Sequence, residues 1–293
     1  MAASDVADVL ADLVTDATEH HYSPYTRFDW ADTLAERQWW MSPELLSVAG
    51  TRYAEEWDEE RLMRLSKWES INFFSLNIHG IRELLIEVTR RIHTPGFELP
   101  SEFFHRFLGE ENGHMWFFAQ FCLRYGDRIY PDKSLPVAGS EEDTEVDHFL
   151  VFARILIFEE LVDHFNLRMG RDTTLHPLIR EVNQVHHDDE WRHIVMGRKL
   201  VEHLYQPLRE RADEALRARL DDYLRRYITA SMQSLYNPAV YRDAGVADPY
   251  VLRKELLRDP ARTRYHETFF KRITKFLVNQ GIISHSPFDS VTA

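Results

Sequence analysis

Two short motifs in this chain combine a carboxylate with an imidazole at a spacing that could bind a metal ion. Glu111 precedes His114 by three residues, and Glu190 precedes His193 by the same interval. Residues three apart lie on the same face of a helix, so each motif offers an oxygen and a nitrogen donor in one direction. Carboxylates and imidazoles suit divalent transition metals, which can activate dioxygen at open coordination positions. One such motif arises often by chance, whereas two on separate helices favour a metal site.

Each motif is preceded by a helical stretch that offers a further carboxylate. Glu83 lies 28 residues before Glu111, and Glu159 lies 31 residues before Glu190. Counted from the turn of each helical hairpin at ~1.5 Å per residue, the paired carboxylates lie at nearly the same depth. Two such hairpins are typical of ferritin-like four-helix bundles that bind two metal ions in their core. We therefore predict an all-α, ferritin-like bundle with a dinuclear metal site.

Neighbouring acidic residues are alternatives for two of these predicted ligands. Glu87 lies one turn beyond Glu83, and Glu160 directly follows Glu159 on a segment that is apolar all round. Glu69 lies too far from the turn to reach the site, and we interpret it as a surface or capping residue. The sequence favours Glu83 and Glu159 without excluding Glu87 and Glu160.

A further histidine shares a helix face with the second motif. His186 lies four residues before Glu190 and seven before His193, so the three side chains form one stripe along a helix. This stripe predicts either a third imidazole ligand or a core histidine without a metal.

Polar residues next to the motifs could orient the imidazoles. Asp189 is predicted to accept the free N–H of His114 from the opposite helix, and Glu110 that of His193. Arg192 is expected to pair with one of these two carboxylates. The alternative is that they are ordinary surface charges.

Four long helical stretches must position these side chains. They are predicted over about residues 58–92, 101–125, 142–170 and 177–205. Together they form a core bundle of about residues 58–205, whose last helix should end before Pro207.

Further segments flank the predicted bundle. After a short N-terminal helix, the tryptophan-rich residues 25–57 predict an aromatic segment that lies against the bundle. Residues 208–281 predict two or three more helices, interrupted at Pro238 and Pro249, and the last dozen residues are expected to be disordered. We predict one all-helical domain over residues 1–293.

Composition excludes several functional classes. The formal net charge of −13 disfavours nucleic-acid binding, because the protein would repel phosphates. A single cysteine, Cys122, excludes a disulfide framework and favours a reducing compartment. No secretory signal or apolar run of ~20 residues is present. We expect a cytoplasmic protein that binds neither nucleic acid nor membranes.

The chain resembles the p-aminobenzoate N-oxygenase family of non-heme diiron oxygenases. The resemblance rests on His186-x-x-Asp189-Glu190-x-Arg192-His193, Glu159-Glu160-Leu161-x-Asp163 and Glu111-Asn112-Gly113-His114, and extends to Met41-Ser42-Pro43-Glu44-Leu45-Leu46, Gly50-Thr51 and Asn237-Pro238-Ala239-Val240-Tyr241. The iron ligands that it implies are Glu83, Glu111, His114, Glu159, His186, Glu190 and His193.

The resemblance also implies a function. It implies an O2-dependent monooxygenase of secondary metabolism that oxidises the nitrogen of a small arylamine through the hydroxylamine towards the nitro compound. Two iron ions (Fe2+/Fe3+) would be the cofactor, dioxygen the co-substrate, an external electron donor the reductant, and a homodimer the assembly. The alternatives are a diiron C-hydroxylase of a small molecule or amino acid, a ferroxidase or other iron-handling ferritin-like protein, and a metal-free helical interaction protein.

Overall fold

Helices make up the regular structure of the chain. The computed structural model describes residues 3–132 and 143–289, and every regular element in these ranges is helical. The helices are α1 (Ala3–Glu19), α2 (Pro24–Arg27), α3 (Arg52–Glu56), α4 (Glu59–Thr89), α5 (Ser101–Tyr125), α6 (Thr144–Arg171), α7 (Pro177–Arg211), α8 (Glu214–Ser234), α9 (Pro238–Asp243), α10 (Pro249–Leu256) and α11 (Pro260–Asn279), with a 3-10 helix at Pro43–Leu45. The predicted all-α fold is confirmed. Within these ranges, no helix is both long and apolar enough to cross a bilayer.

The four long helices α4 to α7 form two hairpins that pack into a bundle. In the first hairpin, the rings of Phe74 on α4 and Phe118 on α5 stack at 4.9 Å. The hairpins meet where α4 passes α6, since a Cβ at Gly80 would overlap the ring of Phe158. Glycine at this position lets the two backbones approach closely. The four helices thus enclose one interior.

Helix α7 continues through Pro207 to Arg211, so the predicted end at residue 205 is wrong. A proline inside a helix removes one backbone hydrogen bond. Tertiary contacts hold the extra turn, because Leu208 is fully buried and Arg211 pairs with Asp143 and Glu145 at the start of α6.

The C-terminal part forms four helices, α8 to α11, instead of the two or three predicted. Breaks occur at Pro238 and Pro249 as predicted, and also at Pro260, each proline opening the next helix. Residues expected to be disordered are packed up to residue 289, since Ile282 and Phe288 are buried.

The aromatic segment lies against α5, as predicted. Trp40 is 1% exposed, and its ring lies 5.9 Å from that of Phe121. Trp30 lies 6.3 Å from Trp116 on the same helix. These rings cover the outer face of α5.

Glu69 is buried on α4, and its predicted position at the surface is wrong. Its carboxylate accepts hydrogen bonds from the backbone N–H and the hydroxyl of Ser47. Residues 43–50 fold over α4 and supply these donors, which no helical periodicity could reveal. Burial raises the pKa of Glu69 to about 7 in spite of both hydrogen bonds.

The raised pKa of Glu69 makes protein stability depend on pH. The folded state holds this proton more tightly than the unfolded chain, so the free energy of unfolding should fall as pH rises from about 4.5 to about 7. We expect Glu69→Gln to remove up to about 3 kcal/mol of this loss. Urea unfolding of the unchanged protein and of Glu69→Gln at pH 5 and at pH 8 measures this loss. If the two proteins differ in free energy of unfolding by the same amount at both pH values, the prediction is contradicted.

Candidate metal centre

Six buried side chains from three helices converge inside the bundle. They are Glu111 and His114 from α5, Glu159 from α6, and His186, Glu190 and His193 from α7. They form two overlapping groups, Glu111–His114–His186–Glu190 and Glu111–Glu159–Glu190–His193, and the ligand atoms of each group lie within 4.8 Å of one another. Because Glu111 and Glu190 belong to both groups, they could bridge two ions.

The donor atoms of this cluster lie close together, but several of them have no hydrogen-bond partner. Nδ1 of His114 lies 3.0 Å and Nδ1 of His193 lies 2.9 Å from Oε1 of Glu111. Nε2 of His186 lies 3.0 Å from Oε1 of Glu190. Nevertheless His186 Nε2, His193 Nδ1 and both Glu190 oxygens have no aligned hydrogen-bond partner. Buried polar atoms are rarely left so, and atoms aimed at a shared space fit a bound cation.

The electrostatics of the cluster also fit cations. Burial raises the pKa of Glu159 well above its usual range, and repulsion from Glu190 and Glu111 raises it further. Burial lowers the pKa of His114, but the carboxylates of Glu111 and Asp189 outweigh burial and raise it to about 10. Without a metal, protons must therefore neutralise the buried carboxylates, and divalent ions would displace these protons.

The outer nitrogens of two imidazoles contact buried carboxylates. Nε2 of His114 lies 3.0 Å from Asp189, and Nε2 of His193 lies 2.8 Å from Glu110. Arg192 donates to both carboxylates and is itself 2% exposed. An N–H donated from Nε2 leaves the Nδ1 lone pair of each ring facing the centre of the cluster.

Two residues from the N-terminal region join this outer layer, and sequence reasoning missed both. The hydroxyl of Tyr22 donates to Asp189 at 2.9 Å, and Arg192 donates to Asp16 on α1 at 2.9 Å. Burial and the nearby Asp189 raise the pKa of Tyr22 far above its usual value, so its hydroxyl stays protonated. These partners lie about 170 residues apart in sequence, and no local pattern links them.

The third imidazole has an amide as its partner. Nδ1 of His186 contacts the side-chain amide of Asn166, a fully buried residue whose Oδ1 has no partner. With the amide turned by 180°, Oδ1 accepts Nδ1–H and the Nε2 lone pair faces Glu190. Asn166 lies seven residues after Glu159 on the same stripe of α6, and this spacing was a signal that could have revealed it.

Removal of the amide should weaken metal binding at His186. We expect Asn166→Leu to lower the affinity of one of two ions by about 10- to 100-fold, because the ring loses its orienting partner. Anaerobic titration with Co2+, followed by its visible absorption, reports each ion separately. Asn166→Asp retains an acceptor and should bind both ions, and equal affinities in all three proteins would contradict this role.

Glu83 lies on the surface, which corrects its assignment as a ligand. Its side chain is 64% exposed and pairs with Arg82, and Glu87 pairs with Arg90 and Arg91, which directly follow α4. The buried face of α4 near this level carries Ile81 and Leu84. Depth from the turn fixed the level of residue 83 but not its direction around the helix axis. Among the residues described, α4 contributes no carboxylate to the cluster.

The structure also separates Glu159 from its neighbour. Glu159 points into the cluster, whereas Glu160 pairs with Arg198 on α7 and Arg272 on α11. Adjacent residues differ by about 100° around a helix, so one can face the interior while the other faces a neighbouring helix.

We compared the sequence of the chain with models of known protein families. The model of the family described as P-aminobenzoate N-oxygenase AurF matches residues 3–281. No curated protein matches the chain significantly. The matched range includes all six donors, their partners Asn166, Asp189 and Glu110, and the N-terminal Tyr22. The chain therefore belongs to the p-aminobenzoate N-oxygenase family, a family of oxygenases.

Proposed function

We propose that the protein is a non-heme diiron monooxygenase that oxidises the nitrogen of a small arylamine, through the hydroxylamine towards the nitro compound. The observation that carries this proposal is the pair of overlapping buried donor groups that share Glu111 and Glu190. Membership of the family supports oxidation at nitrogen over oxidation at carbon.

The donors divide naturally between two ions. His114 and His186 would hold one, Glu159 and His193 the other, and Glu111 and Glu190 both. Three carboxylates and three imidazoles form a mixed oxygen and nitrogen set of the kind that binds iron. When bound, the two irons supply the redox chemistry that activates dioxygen.

The protein holds these donors in a fixed geometry. Asp189, Glu110 and Asn166 orient the three imidazoles from behind, and Arg192 ties the two carboxylates together. Rings that are already oriented need not reorganise during the reaction. These residues act by positioning the ligands and not by contact with substrate.

Phenylalanine rings surround the imidazoles and exclude water. Phe107 lies 4.6 Å from His193, and Phe118 lies 4.9 Å from His186, between ring centres. Both phenylalanines are at most 1% exposed. A dry site protects a reactive oxidant from water and protons.

The test is isotopic. Protein loaded anaerobically with Fe2+ receives a chemical reductant, 18O2 and 4-aminobenzoate or another arylamine, and mass spectrometry follows the product. Each N-hydroxylation consumes one dioxygen, two electrons and two protons, and yields one water, so 18O should appear on nitrogen. Ring or side-chain hydroxylation would instead identify a C-hydroxylase, and iron oxidation with every amine unchanged would identify an iron-handling protein.

We further propose a cytoplasmic homodimer that receives electrons from an external donor. The family resemblance supports the dimer, and the single, buried Cys122 is compatible with a reducing compartment. Light scattering tests the dimer, which should have twice the chain mass of 34.7 kDa.

A further inference from the structure

The helix α4 passes the metal cluster with one buried polar side chain, that of Asn77. Centres of this architecture usually take a carboxylate from each of the four helices, but among the residues described α4 supplies none. Between residues 76 and 84, the other buried side chains of α4 are Ile78, Ile81 and Leu84, which are all apolar. Asn77 is 0% exposed and is therefore the one polar group that this stretch of α4 buries.

The amide of Asn77 has one end with a hydrogen-bond partner and one end without. Its Nδ2 donates to the backbone oxygen of Phe73 at 2.8 Å. A carbonyl oxygen can only accept, so this contact identifies the NH2 group and fixes the orientation of the amide. The other end, Oδ1, is buried and has no partner within the described chain. A buried oxygen of this kind lacks a proton donor or a cation.

Contacts of the neighbouring residues show that Asn77 faces the interior of the bundle. Phe73 stacks on Phe165 of α6, and Phe74 stacks on Phe118 of α5. With about 100° per residue around the helix axis, the direction of Asn77 falls between those of Phe73 and Phe74. Its side chain thus points between α5 and α6, towards the space that the donors of both helices share.

The same contacts place Asn77 at the level of two ligand imidazoles. Because α4 and α5 run in opposite directions, moving three residues on from Phe74 corresponds to moving three residues back from Phe118. Asn77 therefore lies level with the turn of α5 between His114 and Phe118. At this level the rings of His114 and His186 lie 4.4 Å apart between centres. Asn77 faces the donor group that contains these two histidines.

We propose that Asn77 is a seventh protein ligand of the metal centre, and that its Oδ1 binds the ion held by His114 and His186. Amide oxygens are ligands of divalent cations in proteins. The two imidazoles already direct a nitrogen to other residues, Nε2 of His114 to Asp189 and Nδ1 of His186 to Asn166, so a cation is the partner that Oδ1 lacks. This inference rests on the proposed function, since it adds a ligand to the proposed diiron centre.

An amide in this position makes the two ions unequal. The ion at His193 has a carboxylate of its own, Glu159, whereas the unshared donors of the other ion would all be neutral. A site with fewer negatively charged ligands binds a cation less tightly. We therefore expect the two ions to bind in sequence, with the ion at Asn77 binding second.

Anaerobic titration with Co2+ tests this ligand without any oxygen chemistry. In Asn77→Leu the second ion should bind at least about tenfold more weakly than in the unchanged protein, because its ligand set is incomplete. Asn77→Asp keeps the shape of the side chain and adds a negative charge, so the second ion should bind at least about tenfold more tightly. The visible absorption of the second Co2+ should change in both variants, and that of the first should not.

Asn183→Leu is the matched control for the loss of a buried amide. Asn183 on α7 is also 0% exposed, donates from Nδ2 to a backbone oxygen at 2.7 Å and has an Oδ1 without a partner. It lies about one turn before His186, on the side away from Glu190, and therefore beyond the cluster. We expect this variant to bind both ions with the affinities of the unchanged protein.

Two results would overturn the role of Asn77 as a ligand. One is that Asn77→Leu and Asn77→Asp bind both ions with the affinities and the absorption of the unchanged protein. The other is that Asn77→Leu changes only the affinity for 4-aminobenzoate, which would place Asn77 against the substrate. If Asn77→Leu fails to fold, the tighter binding expected of Asn77→Asp still decides.

The proposed function fails separately from this ligand. If the Asn77 variants shift the second ion as expected but the iron-loaded protein forms no N-oxygenated product, the ligand stands without the function. If the product forms and the variants leave both ions unchanged, the function stands and the ligand does not.

Discussion

Replacement of Glu111 by alanine should reduce the iron bound per chain from two ions to almost none, while the helical content stays unchanged. Glu111 is fully buried and belongs to both donor groups, so one substitution removes an oxygen donor from each ion. It also leaves Nδ1 of His114 and Nδ1 of His193 without the carboxylate that both approach. Metal analysis after anaerobic loading and far-UV circular dichroism measure the two quantities.

Glu83→Ala is the matched control for this experiment. It removes a carboxylate from the adjacent helix at a similar depth, but from an exposed side chain that pairs with Arg82. We expect it to retain both irons. Two irons in Glu111→Ala, or a loss of iron in Glu83→Ala, would show that the cluster is not the metal centre.

Substitution of Arg192 by methionine should lower the free energy of unfolding of the metal-free protein by about 3–5 kcal/mol. Arg192 is 2% exposed and pairs with Asp16, Glu110 and Asp189. Methionine fills much of the same space but leaves these three carboxylates without their shared cation. The iron affinity should fall as well, by about 10- to 100-fold, since two of the carboxylates orient ligand imidazoles.

Urea unfolding of each variant measures this effect, and Arg82→Met serves as the control. Arg82 also pairs with two carboxylates but is 45% exposed, so its loss should cost at most about 1 kcal/mol. Adding Asp16→Asn to Arg192→Met should recover part of the stability, because one unpaired charge is removed. Equal losses in Arg192→Met and Arg82→Met would contradict the role given to Arg192.

The spacing of residues within one helix predicted the ligands of the metal centre that lie three residues apart on the same helix. Glu111 and His114 share a helix face because they are three residues apart, and so do Glu190 and His193. Glu83 shows the limit of the same reasoning, since the hairpin turn gives its depth but not its rotation. The apolar residues Ile81 and Leu84 would have indicated which face of α4 is buried.

Contacts between distant parts of the chain determine the end of α7 and the burial of Glu69, which the local sequence pattern did not predict. Pro207 stops a helix in isolation, but the buried Leu208 and the pairing of Arg211 with α6 continue α7 past it. The sequence around Glu69 indicates a surface residue, but Ser47, which lies 22 residues earlier in the chain, covers its carboxylate and donates a hydrogen bond to it. Contacts between residues far apart in sequence leave no periodic trace in the chain.

The contacts of Tyr22 and Asp16 have a consequence for biosynthesis. Both residues leave the ribosome long before Asp189 and Arg192, with which they form hydrogen bonds. The hydrogen bonds of Tyr22 and Asp16 with α7 can therefore form only after α7, the fourth helix of the bundle, has been synthesised. Since α7 also supplies three of the six donors, metal capture and the formation of these hydrogen bonds both belong to a late stage of maturation.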